Sequence, residues 1–344
     1  MKLEAEQFTI KLPRPFRIAH GSSLTRETIL VHIHGEGIEA HGEGALPPYY
    51  PSTAEASLSW LNSIGRKGDL AAWESECACG APAGAAAGHV ALDIALQDLK
   101  ARKVGKPLWQ LWGLNPAAIP ACWRTVSMAS SEHELCELLD EAISHGSTSI
   151  KLKTGSGDFA WDTRCIRLAV ARNIRLGLDV NGGWTPVQAA QILPELGELN
   201  IAFVEQPVGR EIEEWRELRT RMAERRISPL IADESLQEQE DFARLRGLVD
   251  GANVKLLKAG SFGAALDWIS LARELGMLVM VGVMVETGIA RTAAAQLAPL
   301  ADWLDIDPPE AIPAAPMIGF GIHGDRLVLS DRPGLGLVDV ASKG

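Results

Sequence analysis

The chain has 344 residues with 47% hydrophobic and 22% charged side chains, a composition typical of a folded globular protein that excludes wholesale disorder. Its formal net charge is −11 and it has no long basic run, which argues against nucleic acid as a partner, because phosphate binding needs clustered Lys and Arg. No apolar run reaches the roughly 20 residues of a membrane helix. The start, MKLEAEQFTI, is unlike a signal peptide. We therefore expect a cytoplasmic protein without a membrane partner.

The N-terminal part is strand-rich. The pieces FTIKLP, TILVHIHGEG and GEGALPPYYPST combine period-two patterning with Gly and Pro turns, which predicts antiparallel sheet. From His89 to Gly105, apolar residues recur at spacings of three and four before a Lys, Arg and Gly ending, which predicts a helix. We expect residues 1–115 to form an α+β capping domain. The tail, 317–344, returns to short strand-like pieces and is expected to complete it.

The region 116–316 has a different pattern. Short apolar runs, each ending in one or two polar residues, alternate with amphipathic helical stretches. The eight strand candidates are CWRTVSMA, SIKLKTG, IRLGLDVNGG, IAFVEQP, SPLIADES, GANVKLLKAG, LVMVGVMVET and ADWLDIDPP. This order predicts an α/β fold, a modified (β/α)₈ TIM-type barrel that carries the capping domain. A Rossmann fold is less compatible, because no GxGxxG joins a strand to a helix.

Charged residues follow most of the barrel strands. In a TIM barrel the reacting groups lie at the carboxyl ends of the strands, so these residues should meet at one mouth. In chain order the residues at those ends are Lys151 and Lys153, Asp179, Glu205, Asp233, Lys255, and Asp305 with Asp307.

Asp179, Glu205 and Asp233 follow three adjacent strands. Three carboxylates without a cation would repel and raise one another's pKa. An oxygen-only set suits a hard divalent ion, so we predict a Mg²⁺ site. The alternative is that each carboxylate caps the following helix.

The lysines lie on both sides of this site. A lysine close to other cations has its ammonium form disfavoured, which moves its pKa toward the range of a general base. For Lys151 and Lys153 the alternative is an exposed sheet edge. For Lys255 it is a structural ion pair with Asp233 or Glu234. Lys258 is expected to be structural and to point to the opposite face of the strand.

Five motifs in order carry a resemblance to a known family: KLK at 151–153, DVN at 179–181, VEQP at 204–207, ADES at 232–235 and NVK at 253–255. The pattern resembles the enolase superfamily in its muconate-lactonizing-enzyme subgroup, and it covers nearly the whole chain. The resemblance implies that the three carboxylates bind Mg²⁺. It also implies that Lys153 and Lys255 are an acid/base pair on opposite faces of the substrate, with Lys151 close to the substrate carboxylate.

The eighth strand indicates the class of substrate. WLDIDPP places Asp305 and Asp307 on one face, which we expect to lie opposite the metal. This DxD resembles the feature with which dipeptide epimerases of the L-Ala-D/L-Glu epimerase type bind the α-ammonium group of a dipeptide, and an anionic partner for a cation is physically sound. The alternative is a pair of solvated barrel-end carboxylates.

The loop after the first strand departs from that pattern. Epimerases acting on L-Ala-L-Glu have an Arg there, whereas this chain reads IAHGSSLTRE, and the nearest substitutes are His20 and Arg26. A neutral or hydrophobic second residue is therefore an open alternative. The resemblance implies 1,1-proton transfer through an ene-diolate at the C-terminal residue of a dipeptide. The alternatives are an N-acylamino acid racemase or o-succinylbenzoate synthase and, more remotely, a non-catalytic metal-binding barrel. A homo-oligomer is compatible with all of them.

Overall fold

A computed structural model of the protein describes residues 1–18, 21–222, 227–311 and 317–339. It begins with an antiparallel sheet of β1 (Lys2–Ile18), β2 (Gly21–Gly35) and β3 (Ile38–Ala45). The pairing of β1 with β2 starts at Lys2 opposite His34 and shifts register between Lys11 and Phe16. Such a shift bends a strand and increases its twist. Beyond the shift lies the end of the hairpin, which reaches the barrel.

Helices α1 (Ala54–Gly65) and α3 (Ala86–Val104) pack on this sheet. The shorter helices α2 (Leu70–Ala78) and α4 (Leu108–Leu111) pack on α3. Helix α3 matches the predicted helix and ends at Gly105, whose φ of 72° is accessible to glycine without strain. A Cβ on Gly42 would lie 1.9 Å from Ala91 O, and one on Gly44 would lie 2.0 Å from Ala87 O. The glycines of β3 therefore allow α3 to pack directly on the strand.

The barrel confirms the eight predicted strands. They form one parallel sheet in chain order: β4 (Arg124–Val126), β5 (Ser149–Lys153), β6 (Arg175–Asp179), β7 (Val204–Glu205), β8 (Leu230–Ala232), β9 (Gly251–Val254), β10 (Leu278–Gly282) and β11 (Trp303–Asp305). Trp123 N donates to Leu304 O at 2.7 Å, beside a bridge between Cys122 and Leu304. The first and last strands thus approach each other and complete the ring.

Helices alternate with these strands: α5 (Glu132–Ser144), α6 (Phe159–Val170), α7 (Pro186–Glu198), α8 (Ile212–Arg221), α9 (Asp241–Leu245), α10 (Leu256–Ala259), α11 (Phe262–Glu274) and α12 (Gly288–Gln296). Several begin at side-chain caps, among them Ser131, Thr185 and Ser261. These caps satisfy amide groups that the first helical turn leaves without a partner.

Inside the ring, side chains form two layers. Trp123, Phe203, Ile231 and Met280 form a small core of their own. Because side chains alternate along a strand, the residues two positions further on also point inward. Those positions include Glu205 and Asp233. The apolar layer thus forms the floor beneath the polar one.

The tail contains β12 (Met317–Ile318), β13 (Phe320–His323), β14 (Arg326–Leu329) and β15 (Val338–Asp339). Leu335 N donates to Asp98 Oδ1 of α3 at 2.7 Å, and Cys122 N donates to Asp325 O at 2.7 Å. The tail therefore contacts both parts of the chain, and the division at residues 115 and 317 stays a prediction. Among the described residues, no helix is both long enough and apolar enough to cross a membrane.

Candidate active site

The charged side chains that follow the barrel strands meet at one mouth. Lys153 pairs in register with Asp179, and Asp179 pairs with Glu205, so these residues form a row across three adjacent strands. Asp233 follows β8 directly, and Asp305 ends β11. A cavity of about 50 Å³ lies between them, and both Lys153 and Lys255 line it. The strands thus bring the expected side chains together.

The two candidate bases lie across the mouth from each other. Lys153 ends β5, and Lys255 follows β9. Three strands separate β5 from β9 in one direction around the ring, namely β6 to β8 with the three acids. In the other direction the separating strands are β10, β11 and β4. A molecule in the cavity would therefore have one lysine on either side.

Lys151 is the most heavily paired cation of the site. Its Nζ lies 2.6 Å from Asp305 Oδ2 and 2.7 Å from Glu205 Oε2, with Asp179 Oδ2 at 3.2 Å. Burial disfavours the ammonium form, but the three carboxylates outweigh burial and raise the pKa of Lys151 well above its usual value. Lys151 is thus a buried cation, and the exposed-edge alternative is wrong for it.

The other lysines are paired as well. Lys153 Nζ lies 2.7 Å from Asp179 Oδ2, and Lys255 Nζ lies 2.7 Å from Asp233 Oδ2. Burial opposes the charge of both lysines, yet the paired carboxylate in each case raises the pKa. The neighbouring carboxylates outweigh the neighbouring lysines here, and a lowered pKa beside a bound metal ion stays a prediction. The ion pair weighed for Lys255 is present.

Lys258 does not point away from the site. It lies in the short helix α10 rather than in a strand, and its Nζ is 2.7 Å from Asp233 Oδ1 and 2.9 Å from Asp233 O. Burial lowers its pKa. The expectation of an opposite face is wrong, because the chain turns from strand to helix directly after Lys255.

The three acids differ in their electrostatics. Burial raises the pKa of Glu205 to about 8, Lys151 opposes this rise, and the charges of Asp179 and Asp233 add to it. For Asp179 burial is outweighed by Lys151 and Lys153, which bring its pKa to about 2. Burial is likewise outweighed at Asp233, where Lys255 lowers the pKa. None of the three is the side-chain cap of a helix; Thr185 caps α7, for example. The capping alternative is wrong.

These carboxylates have the chemistry of a hard-cation site. All are buried oxygen donors, and Glu205 Oε2 contacts Lys151 without making a hydrogen bond. Their oxygens contact lysines instead of converging on one point, and within the described residues no three His, Cys, Asp or Glu side chains are close enough to hold a metal ion. The residue types fit Mg²⁺, and the ligand set remains a prediction.

The eighth-strand acids lie on the side of the ring that faces β7. Asp305 is buried and accepts from Thr125 Oγ1 at 3.0 Å, so it is not a solvated carboxylate. Its strand lies across the ring from β7, which carries Glu205, and Lys151 bridges the two sides by contacting Asp305, Asp179 and Glu205. Asp307 lines the cavity, and its pKa is raised by burial and by Asp305. Arg291 Nη1 donates to Asp307 O at 2.9 Å and holds this turn.

The structure describes one of the two substrate-binding candidates in the loop after the first strand. His20 lies outside the described residues. Arg26 is half-buried on β2, donates to Thr25 O at 3.0 Å, and its guanidinium lies 6.0 Å from the centre of the Phe16 ring. Phe16, and not Arg26, lines the cavity. A role for Arg26 in binding substrate stays a prediction.

Further lining residues escaped the sequence analysis. Phe16 and Tyr49 come from the N-terminal region, Met284 from the loop after β10, and Asn181 and Glu234 from motifs already quoted. Asn181 Nδ2 donates to Glu234 Oε1 at 3.0 Å. The DVN and ADES motifs offered a signal for these two residues. No signal in the sequence points to Phe16 or Tyr49, which reach the barrel only through tertiary packing.

Comparison with known proteins gives consistent matches over the whole length. An L-Ala-D/L-Glu epimerase of Bacteroides thetaiotaomicron is 29% identical, covering 99% of this chain and 88% of the relative. The substrate-liganded L-Ala-D/L-Glu epimerase of Bacillus subtilis superimposes with a TM-score of 0.88 at 26% identity, covering 98% of this chain and 99% of that one. A dipeptide epimerase of Enterococcus faecalis, complexed with Mg and L-Leu-L-Tyr, gives 0.82 at 28%, covering 98% of both chains.

Two family models divide the chain between them. Residues 3–113 match the N-terminal domain of the mandelate racemase / muconate lactonizing enzyme family. Residues 134–339 match the enolase C-terminal domain-like family. Together with the barrel and its N-terminal sheet, these matches show that the chain belongs to the mandelate racemase / muconate lactonizing enzyme family of the enolase superfamily.

Proposed function

We propose that the protein is a Mg²⁺-dependent dipeptide epimerase that inverts the α-carbon of the C-terminal residue by 1,1-proton transfer. The observation that carries the proposal is the position of Lys153 and Lys255 on strands that face each other across the mouth. Inversion needs one group to remove the α-proton and another to return a proton from the opposite side. The epimerase relatives support the same reaction class.

The lysines would exchange roles with the direction of the reaction. Each accepts a proton only as a neutral amine and donates one only as an ammonium. The ion pairs with Asp179 and Asp233 favour the ammonium forms. The lysine that accepts the α-proton must therefore first lose its own proton, which requires its ion pair with the carboxylate to weaken. Lys151, a fixed buried cation, is suited to holding the substrate carboxylate and the negative charge that develops on it.

The predicted metal ligands are Asp179, Glu205 and Asp233. Mg²⁺ held by them would supply positive charge that stabilises the ene-diolate formed when the proton leaves. The Enterococcus faecalis relative is complexed with Mg and a dipeptide, which supports this assignment. Glu205 lies between Asp179 and Asp233 along the row of strands.

Asp305 and Asp307 are proposed to bind the substrate's α-ammonium group. Both line the cavity on the arc of the ring that carries no predicted metal ligand. An N-acylated substrate has no cation to place there, so the pair favours a dipeptide over an N-acylamino acid. The remaining lining includes Phe16, Tyr49 and Met284. This apolar character favours a neutral or hydrophobic second residue over glutamate.

The test is incubation of the protein with Mg²⁺ and free-amine L,L-dipeptides in D₂O. We expect deuterium at the α-carbon of the C-terminal residue and formation of the L,D epimer, measured by mass spectrometry and chiral chromatography. L-Ala-L-Leu should react faster than L-Ala-L-Glu. An absence of exchange with every dipeptide would contradict the proposal.

N-succinyl amino acids separate the second candidate, an N-acylamino acid racemase. Asp305→Asn and Asp307→Asn should lower activity on dipeptides, since each removes an anionic partner of the ammonium group. Exchange of N-succinyl amino acids that persists undiminished in both variants, with little exchange of dipeptides by the wild type, would favour the racemase.

A further inference from the structure

Lys255 lies on a segment that the barrel alone does not fix. It immediately precedes the four-residue helix α10, which ends at Gly260 with φ of 90°, and Ser261 then caps α11. So short a helix has little stability of its own. The position of Lys255 therefore depends on what holds the link from α10 to α11, residues 260–262.

His89 holds the first end of this link. It is a buried residue of α3, its Nδ1 lies 2.9 Å from Gly260 O, and its Nε2 lies 2.7 Å from Cys77 O. A carbonyl oxygen only accepts hydrogen bonds, so a proton on Nδ1 is donated to Gly260 O. Cys77 O belongs to the last turn of α2, and Gly260 follows α10.

Asp93 holds the second end. It lies one turn after His89 on α3, and its Oδ2 accepts from Phe262 N at 2.7 Å. Phe262 is the first residue of α11, where a free amide and the positive end of the helix dipole favour an anion. One turn of α3 thus presents a donor to the carbonyl at the end of α10 and an acceptor to the amide at the start of α11.

We propose that His89 and Asp93 are positioning residues for Lys255, through which α3 sets the geometry of one of the two bases. The inference rests on the proposed function. Lys255 and Lys258 both contact Asp233 from this segment. Release of the link would therefore shift Lys255 against its partner. Lys153 has no such dependence on α3, because it ends a barrel strand in register with Asp179.

The experiment compares inversion with exchange in D₂O for His89→Leu and Asp93→Ala. Inversion needs both lysines, whereas α-proton exchange without inversion needs only the lysine facing that proton. We expect inversion to fall about 10- to 100-fold, as a misplaced base does. Exchange of the epimer that Lys153 serves should be largely retained. Asp93→Asn keeps an acceptor for Phe262 N and should restore most of the inversion.

The control is His41→Gln, a change at another buried histidine of the N-terminal region that pairs with His32 and not with the α10–α11 link. Its ratio of inversion to exchange should equal that of the wild type. Hydrogen exchange of the folded proteins supplies a readout without turnover: the amide of Phe262 should exchange faster in Asp93→Ala than in His41→Gln.

Two results would overturn the inference. One is a His89→Leu variant in which inversion and the exchange of both epimers fall in the same proportion, as fewer folded molecules would produce. The other is a His89→Leu variant whose inversion and exchange both stay at the wild-type rates. A wild-type protein that exchanges no dipeptide gives a different failure, since it removes the proposed function itself and the positioning role with it.

Discussion

The two sides of the mouth are built in different ways. On the Lys153 side, the lysine ends a strand that is paired on both edges, and its ammonium lies 5.4 Å from the centre of the Phe16 ring. On the Lys255 side, the lysine leads into a short helical turn held by His89 and Asp93 of α3. The barrel therefore fixes one base directly, whereas the N-terminal region covers that base and holds the segment that carries the other.

This difference assigns two tasks to the N-terminal region. The hairpin that carries Phe16 covers the cavity, whose volume of about 50 Å³ is small beside the roughly 300–1,000 Å³ of usual ligand sites. A dipeptide is larger than this volume, so we expect the cover to move when substrate binds. Helix α3, by contrast, packs closely against β3 and is suited to a fixed contact. Variants on the two sides should accordingly change different steps of the reaction.

Removal of either lysine should have the largest effect. Lys153→Ala and Lys255→Ala should each lower inversion about 10³-fold, within the usual range for loss of an acid/base group. Each variant should still exchange the α-proton of one epimer, and the two variants should retain opposite epimers. Deuterium incorporation into the separate L,L and L,D dipeptides measures this.

A surface variant such as Lys100→Ala controls for the loss of a positive charge, since Lys100 is exposed and pairs with Glu74 of α2. Retention of the same epimer by both catalytic variants would contradict the arrangement of one base on each side.

Substitution of Glu205, the predicted metal ligand between the Lys153 and Lys255 sides, should have the next largest effect. Mg²⁺ at about 100 times its dissociation constant should stabilise the wild type by about 2.7 kcal/mol, and a chelator should abolish inversion. In Glu205→Gln the stabilisation should disappear, because a neutral amide replaces a charged oxygen donor. Thermal unfolding with and without Mg²⁺ measures both effects.

Without Mg²⁺, Glu205→Gln should be at least as stable as the wild type near neutral pH. Burial and the neighbouring acids already raise the pKa of Glu205 to about 8, which shows that its charge is poorly accommodated. Glu217→Gln on the exposed face of α8 serves as the control and should keep the full Mg²⁺ effect. An undiminished Mg²⁺ shift in Glu205→Gln would remove Glu205 from the ligand set.

Loss of the cover over Lys153 should have a smaller effect. Phe16→Ala removes the ring beside the ammonium and opens the cavity to water, and a cation–π contact contributes roughly 1 kcal/mol or more. We expect kcat/KM to fall about tenfold, mostly through KM. Exchange of the α-proton that Lys153 removes should fall more than exchange of the α-proton that Lys255 removes.

Phe16→Tyr is the matched variant, because it keeps the ring, and it should retain most of the activity. A fall confined to the epimer that Lys255 serves would contradict the division between the two sides.

Much of this arrangement is predictable from local pattern. The eight strands and the convergence of Lys153, Asp179 and Asp233 follow from short apolar runs that end in polar residues, and helix α3 follows from apolar residues at spacings of three and four. The orientation of Lys258 is not predictable in this way, because it depends on where β9 ends and α10 begins. One residue's difference in that boundary changes the face on which a side chain lies.

Contacts between distant segments were also beyond the sequence. The raised pKa of Lys151 depends on Asp305, 154 positions away, and the contact of His89 with Gly260 spans 171 positions. A single sequence offers no periodicity that joins such pairs. The composition of each segment predicts its own structure, but the site forms between segments.

Substitution of His41 is expected to have the smallest effect on activity. This residue of the N-terminal region contacts neither Lys153 nor the segment that carries Lys255. Its Nδ1 lies 2.8 Å from His32 Nδ1, and burial together with the charge of His32 lowers the pKa of His41 from 6.5 to about 4. The unfolded chain therefore binds this proton more readily than the folded one. The stability from His41 is complete above pH 6.5 and is lost as the pH falls toward 4, by about 3 kcal/mol.

Urea unfolding of the wild type and His41→Gln between pH 7 and pH 4 measures this contribution. The difference in free energy of unfolding between the two proteins should shrink as the pH falls, while their ratio of inversion to exchange at pH 7 stays the same. Parallel stability curves would contradict the lowered pKa. If His41→Gln and His89→Leu lose similar stability and only His89→Leu changes the ratio, the N-terminal region acts on Lys255 through a specific contact, because a general loss of stability would affect both lysines alike.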